Sequence, residues 1–109
     1  MLITIKKAQF QLFIEDEDLQ TDTLGGLCAK KLKRRLDDLR AAKSLEELRH
    51  APGFYKIVSD KKGHFSCNLD EHHSLLLESH TTPIPKDING EYNWSSVQGI
   101  TIVEIISLK

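Results

Sequence analysis

Long apolar runs are missing from this chain of 109 residues. None approaches the roughly 20 residues that a helix needs to cross a bilayer, so no membrane association is expected. The start, Met1-Leu2-Ile3-Thr4-Ile5-Lys6-Lys7, lacks the charged segment and following apolar stretch of a secretory signal. Cysteine is scarce. Cys28 and Cys67 form no CxxC pair, and without an export signal they read as two reduced, buried thiols of a cytoplasmic protein. An excess of positive charge is lacking too. Lys and Arg number 15 against 16 Asp and Glu, for a net charge of −1. Phosphate contacts supply most non-specific nucleic-acid affinity, so any such role here rests on a local patch. Gly-rich phosphate loops, nucleophile elbows, internal repeats and linkers are all absent. What remains is 39% hydrophobic and 28% charged, the composition of an ordinary globular domain rather than a disordered chain. The length fits one domain, residues 1–109.

The pattern along the chain changes period halfway. Leu2 to Lys6 reads as a first strand and Ala8 to Ile14 as a short helix with Phe10, Phe13 and Ile14 on one side. Glu15-Asp16-Glu17-Asp18 is a solvated loop or a helix end. After Gly25-Gly26 comes the clearest element, a helix over Leu27 to Ala42. Cys28, Leu32, Leu36 and Leu39 form one stripe, and Lys30, Lys33, Arg34, Asp37 and Arg40 lie opposite. Arg35 sits at the margin of the stripe, placed either to snorkel along the core or to point at a sheet rim. Lys33 with Asp37 and Arg34 with Asp38 have pairing distance in sequence. Ser44 and Glu47 have the spacing of a capping box, which predicts a short helix ending at Pro52-Gly53.

From there the period is two. Phe54 to Val58, His64 to Leu69 and His72 to Glu78 read as an antiparallel meander joined by Asp60-Lys61-Lys62-Gly63 and Asp70-Glu71. Residues 79–94, with Pro83, Pro85 and Asn89-Gly90, read as a long loop or a small hairpin tip. Ile100 to Leu108 is a strand apolar on both faces, with Ile100, Ile102 and Ile106 on one and Val103 and Ile105 on the other, and so is central in the sheet. The expected fold is α+β: an N-terminal strand and helices packed on an antiparallel sheet of four to five strands.

Chemistry-bearing patterns are sparse. The histidines, His50, His64, His72, His73 and His80, stand in no ligand motif, so neither metal nor cofactor is expected. Lys30, Lys31, Lys33, Arg34 and Arg35 on the helix, with Lys56, Lys61 and Lys62 beyond it, are either a solvated face or a rim for a phosphate backbone. Phe54, Tyr55, Tyr92 and Trp94 are the aromatics available to stack on bases.

The run Ala29 to Leu48 followed by Pro52-Gly53, the turn Asp60 to Ser66, and Asn93-Trp94-Ser95-Ser96-Val97 leading into Ile102-Val103-Glu104-Ile105 together resemble the HigB-like branch of the RelE/ParE toxin superfamily. The resemblance implies a RelE-like fold and the toxin of a type II toxin–antitoxin pair. Its partners would be a cognate antitoxin, the ribosome and mRNA. Ribonuclease members of the superfamily cut mRNA with the message's own 2′-hydroxyl as nucleophile and without metal. Where the family reads Tyr-Arg-Leu-Ile-Phe, this chain has His73-Ser74-Leu75-Leu76-Leu77, with Ser74 at the arginine position. Where the family ends in Asp-Tyr-His, it has Ser107-Leu108-Lys109. The resemblance therefore implies a degenerate catalytic site. Arg35, Lys56, Lys61 and Lys62 are the candidates for phosphate contact, His73 for proton transfer and Lys109 for assistance.

Overall fold

The computed structural model describes residues 1–59 and 62–107. The elements follow the order β1 (Leu2–Ile5), α1 (Ala8–Glu15), α2 (Glu17–Leu24), α3 (Gly26–Ala41), β2 (Lys56–Ser59), β3 (His64–Asn68), β4 (His73–Ser79) and β5 (Gly99–Ser107). Single 3-10 turns at Leu45–Leu48 and Trp94–Ser96 complete it. The fold is α+β. No helix of the described residues is long and apolar enough to cross a membrane.

The five strands form one sheet in the order β1-β5-β4-β3-β2. β2 to β5 pair antiparallel, as expected. β1 differs: it runs parallel to β5, from Leu2 opposite Gly99 to Ile5 opposite Ile102, so the sheet is mixed. Parallel neighbours need a long crossover, and here everything between the two strands serves as one. β5 is an interior strand, between β1 and β4, while the middle position expected for it belongs to β4.

The stripe of α3 faces the sheet. Cys28, Leu32, Leu36 and Leu39 share one core with Phe65, Cys67, Leu75, Leu77, Ile100 and Ile102. Strand alternation leaves a second, polar face. Its rows across the sheet are Lys56–Ser66–Leu76–Glu104, Asn68–Ser74–Ile106 and His64–Glu78–Thr101–Thr4. A bulge in β5 interrupts this alternation. Leu76 faces Glu104 while Leu77 faces Ile102, which leaves Val103 without an opposite number. An inserted residue reverses the facing of everything beyond it. Ile105, opposite Leu75, therefore joins the core in place of Ile106.

Local details depart from the pattern where tertiary contacts override it. α2 carries little apolar periodicity and rests on its ends. The Asp16 side chain accepts from the Leu19 N–H at 3.0 Å, and Glu17 and Asp18 sit in the favourable first turn. Buried Gln20 donates to the carbonyls of Phe13 and Ile14, both at 2.9 Å, which satisfies the open end of α1. The capping box at Ser44 does not form: its side chain makes no cap hydrogen bond. The Leu45 N–H donates instead to the Val97 carbonyl at 2.9 Å, which fastens this segment to the turn at Trp94–Ser96. Arg49 lies over the Trp94 ring, 5.6 Å from its centre. On α3, Lys33 pairs with Glu17, Asp37 with Arg40 and Asp38 with Arg35, rather than in the two i,i+4 pairs expected. The loop after β4 folds back on itself, with Lys86 and Tyr92 forming a bridge, as a small hairpin tip.

Candidate functional site

The most built-up corner of the molecule lies where α3, the Pro52-Gly53-Phe54 segment and the β3–β4 turn meet. Lys31, Arg35, Gly53, Phe54, Asn68 and Asp70 line a cleft there of about 440 Å³. Arg35 belongs to the buried side of α3, only 8% exposed. Its Nε donates to the Asn68 carbonyl at 3.3 Å, and its Nη1 stands 3.7 Å from an Asp38 carboxylate oxygen. That Nη1 is buried without a hydrogen bond. Gly53 makes room for the guanidinium. Its φ of +124° is one that side-chain-bearing residues rarely adopt, and a Cβ there would come within 2.7 Å of Arg35 Nε. The Gly53 carbonyl accepts from the Asn68 N–H at 2.7 Å, so one residue of β3 holds both the glycine and the arginine.

Phe54 stands beside it in the left-handed region, with φ at +49°, and is 80% exposed. A bulky residue in this conformation is an outlier. It also explains why β2 begins only at Lys56. Tyr55 turns the other way, into the core. Burial pushes its ionisation far up, and its hydroxyl lacks a hydrogen bond. Burial likewise pushes the Cys67 thiol up to about 12, which keeps it protonated and unreactive.

At the other side of the cleft, the Asp70 carboxylate gathers donors. The His72 N–H reaches Oδ1 at 2.8 Å, and His73 Nδ1 lies 2.9 Å from the same oxygen. Desolvation pushes this carboxyl up. The hydrogen bonds from the His72 backbone, His73 and the Cys28 thiol outweigh it and hold the group at about 2. Burial and the adjacent Asp70 push the Cys28 thiol up to about 11.

The residues expected to touch phosphate are not gathered in one place. Arg35 lies beneath the sheet at the Asn68 end of β3. Lys56 is exposed on the polar face, in a row with Ser66, Leu76 and Glu104. Lys62 is exposed just before the His64 end of β3, roughly 15 Å or more from the Arg35 corner at the usual rise of a strand. His73 sits at the start of β4 with Asp70. Lys61 and Lys109, like Asp60 and Leu108, lie outside the described residues. Ser74 is buried, its hydroxyl 3.4 Å from the Asn68 side-chain oxygen. Asp70 and Cys28 entered no sequence motif. The one local signal was the Asp70–His73 spacing across a tight turn.

The far end of the polar face holds a second cluster. Glu78 accepts from Lys6 and lies 3.3 Å from His64 Nε2, while the Thr4 and Thr101 hydroxyls are 2.7 Å apart with His80 against both. The His80 ring occupies the space that a Cβ on Gly99 would need. Partial burial pushes the Glu78 carboxyl up, and the hydrogen bonds and charges of Lys6 and His64 more than reverse this, leaving it below its ordinary value of 4.5. A carboxyl lowered by folding stabilises above its ordinary value and stops doing so as pH falls through the folded one. Glu78→Gln is therefore expected to lose about 0.5 kcal/mol at pH 7, the scale of a partly exposed pair, and nothing once the carboxylate is protonated. Urea unfolding from pH 7 down through the acid range below 4.5 checks this; a loss that stays the same however far the pH falls would refute it.

No protein-family model, no curated protein sequence and no solved structure matches the chain.

Proposed function

We propose that the chain is a toxin-like component of a type II toxin–antitoxin pair, related to the RelE/HigB-like ribonucleases, with an attenuated catalytic site. The observation that carries the attenuation is the charge of the polar sheet face around Ser74. The row Asn68–Ser74–Ile106 has no ionisable group, and the adjacent row has Lys56 at its far β2 end and, on β5, Glu104, whose carboxylate is paired with Lys7 at 3.4 Å. Cleavage by an RNA 2′-hydroxyl gathers charge on the phosphate, and each missing donor to such charge costs on the order of 10² to 10³ in rate. Arg35 does not replace it from its position beneath the sheet, tied to the Asn68 carbonyl and Asp38.

A second reading, a module that binds an antitoxin-like protein and does no chemistry, draws on a different observation. Phe10, Phe13, Leu24 and Ile105 line an apolar opening of about 460 Å³ between the first two helices and β5, and exposed Leu12 and Leu19 lie on the same helices. Apolar area of this kind marks protein-binding surfaces.

Regulated expression in bacterial cells separates the readings. Attenuation predicts weak growth arrest at high expression, relieved by co-expression of an antitoxin encoded beside the gene. Rapid arrest with mRNA cleavage at low expression would overturn it. No arrest at any level, together with a stable complex with the neighbouring gene product, would replace it with the binding module.

A further inference from the structure

The corner that holds Arg35 also brings together three different metal-binding side chains. Cys28 comes from the first turns of α3, Asp70 from the β3–β4 turn and His73 from the start of β4. One donor atom from each, the thiol sulfur, a carboxylate oxygen and a ring nitrogen, all lie within 4.8 Å of one another. Among the described residues this is the group of three such side chains that converges in this way.

We infer that Cys28, Asp70 and His73 form a binding site for a divalent cation of the zinc class. The donor set is the first argument. One sulfur, one imidazole nitrogen and one carboxylate oxygen suit the borderline character of Zn²⁺ and exclude the all-oxygen preference of Mg²⁺ or Ca²⁺. The spacing is the second. Bond lengths of 2.0–2.3 Å place the donors of a tetrahedral zinc shell about 3.5 Å apart, so small side-chain rotations bring the three into position. The setting is the third. Cys28 is buried at 2% exposure, whereas the side chains of Asp70 and His73 are 29% and 24% exposed. The ion enters from the solvent side, and its fourth position is left to water, the arrangement of three-ligand zinc sites.

Binding requires a specific exchange of protons. The Cys28 thiol proton leaves to solvent as the Zn–S bond forms. His73 offers the ion a ring nitrogen that carries no proton. The three ligands come from elements far apart in the chain, and loading therefore fastens α3 to the β3–β4 turn. This role is independent of any action on RNA.

The test uses the full chain, stripped with a chelator and titrated with Co²⁺ and then Zn²⁺. One Co²⁺ per chain is expected, with a thiolate-to-metal charge-transfer band in the near ultraviolet that Zn²⁺ bleaches. The melting temperature should rise with Zn²⁺ concentration, as binding to the folded state alone requires. Asp70→Asn and His73→Gln should each weaken binding at least tenfold, and Cys28→Ser should abolish the thiolate band. His72→Gln, at the exposed neighbouring histidine, should leave binding unchanged. His73 and Asp70 are partly exposed, and circular dichroism confirms that their variants fold before titration. Absence of the thiolate band, unchanged affinity in either of those two variants, or loss of binding in His72→Gln would each overturn the site.

Discussion

Phe65→Ala is expected to destabilise the protein by about 3–5 kcal/mol, the range for deleting a buried aromatic side chain. Phe65 has no exposed surface. It stands in the middle of a core row, with Ile57 of β2 on one side and Leu77 of β4 on the other, and the row continues to Ile102 of β5. The cavity left by alanine would open between three strands and the helical layer, where no single neighbour can move in to fill it. Domains of this size have only about 5–15 kcal/mol of stability in total, so the variant should sit near the edge of unfolding at 37 °C. The measurement is urea denaturation followed by circular dichroism. A loss below about 1 kcal/mol would mean that the core does not close over this ring as described.

Gly53→Ala is expected to cost about 3 kcal/mol, a large effect for adding one methyl group. Two terms contribute. A φ of +124° costs a side-chain-bearing residue about 1–3 kcal/mol of backbone strain. The new Cβ also meets Arg35 Nε at 2.7 Å and Tyr55 Cε1 at 3.0 Å. The guanidinium must give way, and a hydrogen bond from a charged donor to a carbonyl, here a part-buried one, contributes about 1.5–3 kcal/mol. Arg35→Met separates the terms. If displacement of Arg35 carries part of the cost, Gly53→Ala should be less destabilising in the Arg35→Met background, a coupling that a double-mutant cycle reads directly. Equal cost in both backgrounds would leave strain as the whole effect and remove Arg35 from the account.

The elements most legible in the sequence were those whose burial is set by their own periodicity. The stripe of Cys28, Leu32, Leu36 and Leu39 needs no partner to be recognised, and all four are buried. β4 was readable for the same reason, because a run of three leucines is intelligible only in a strand covered on both faces. α2 was not readable. Its cap at Asp16 and the hydrogen bonds of Gln20 depend on where α1 ends. Ser44 and Glu47 have the spacing of a capping box, but a contact with Val97 from the other end of the chain decides the backbone there. The bulge at Val103 also left no trace, because an isoleucine follows on either face and both phases of the strand look equally apolar.

The candidate site divides along the same line. Arg35 at the edge of an apolar stripe already posed the question of where a guanidinium would go, and the structure answers it with the Asn68 carbonyl. Cys28 and Asp70 posed none, and His73 was singled out as a proton carrier rather than as their neighbour. One belongs to a helix, one to a turn and one to the start of a strand, and only the packing of α3 across the sheet brings Cys28 to the other two.

The placement of β5 between β1 and β4 has a consequence for how the protein is made. This interior strand, which joins β1 to the rest of the sheet, is the last of the five to be synthesised. Until it emerges from the ribosome, β1 has no partner and one edge of β4 stays bare, so completing the sheet must wait for the latest-made segment. Contacts so distant along the chain slow folding, and bare strand edges invite pairing with other chains meanwhile. The nascent polypeptide thus passes through a stage at which a chaperone or an early-binding companion protein has the most to shield.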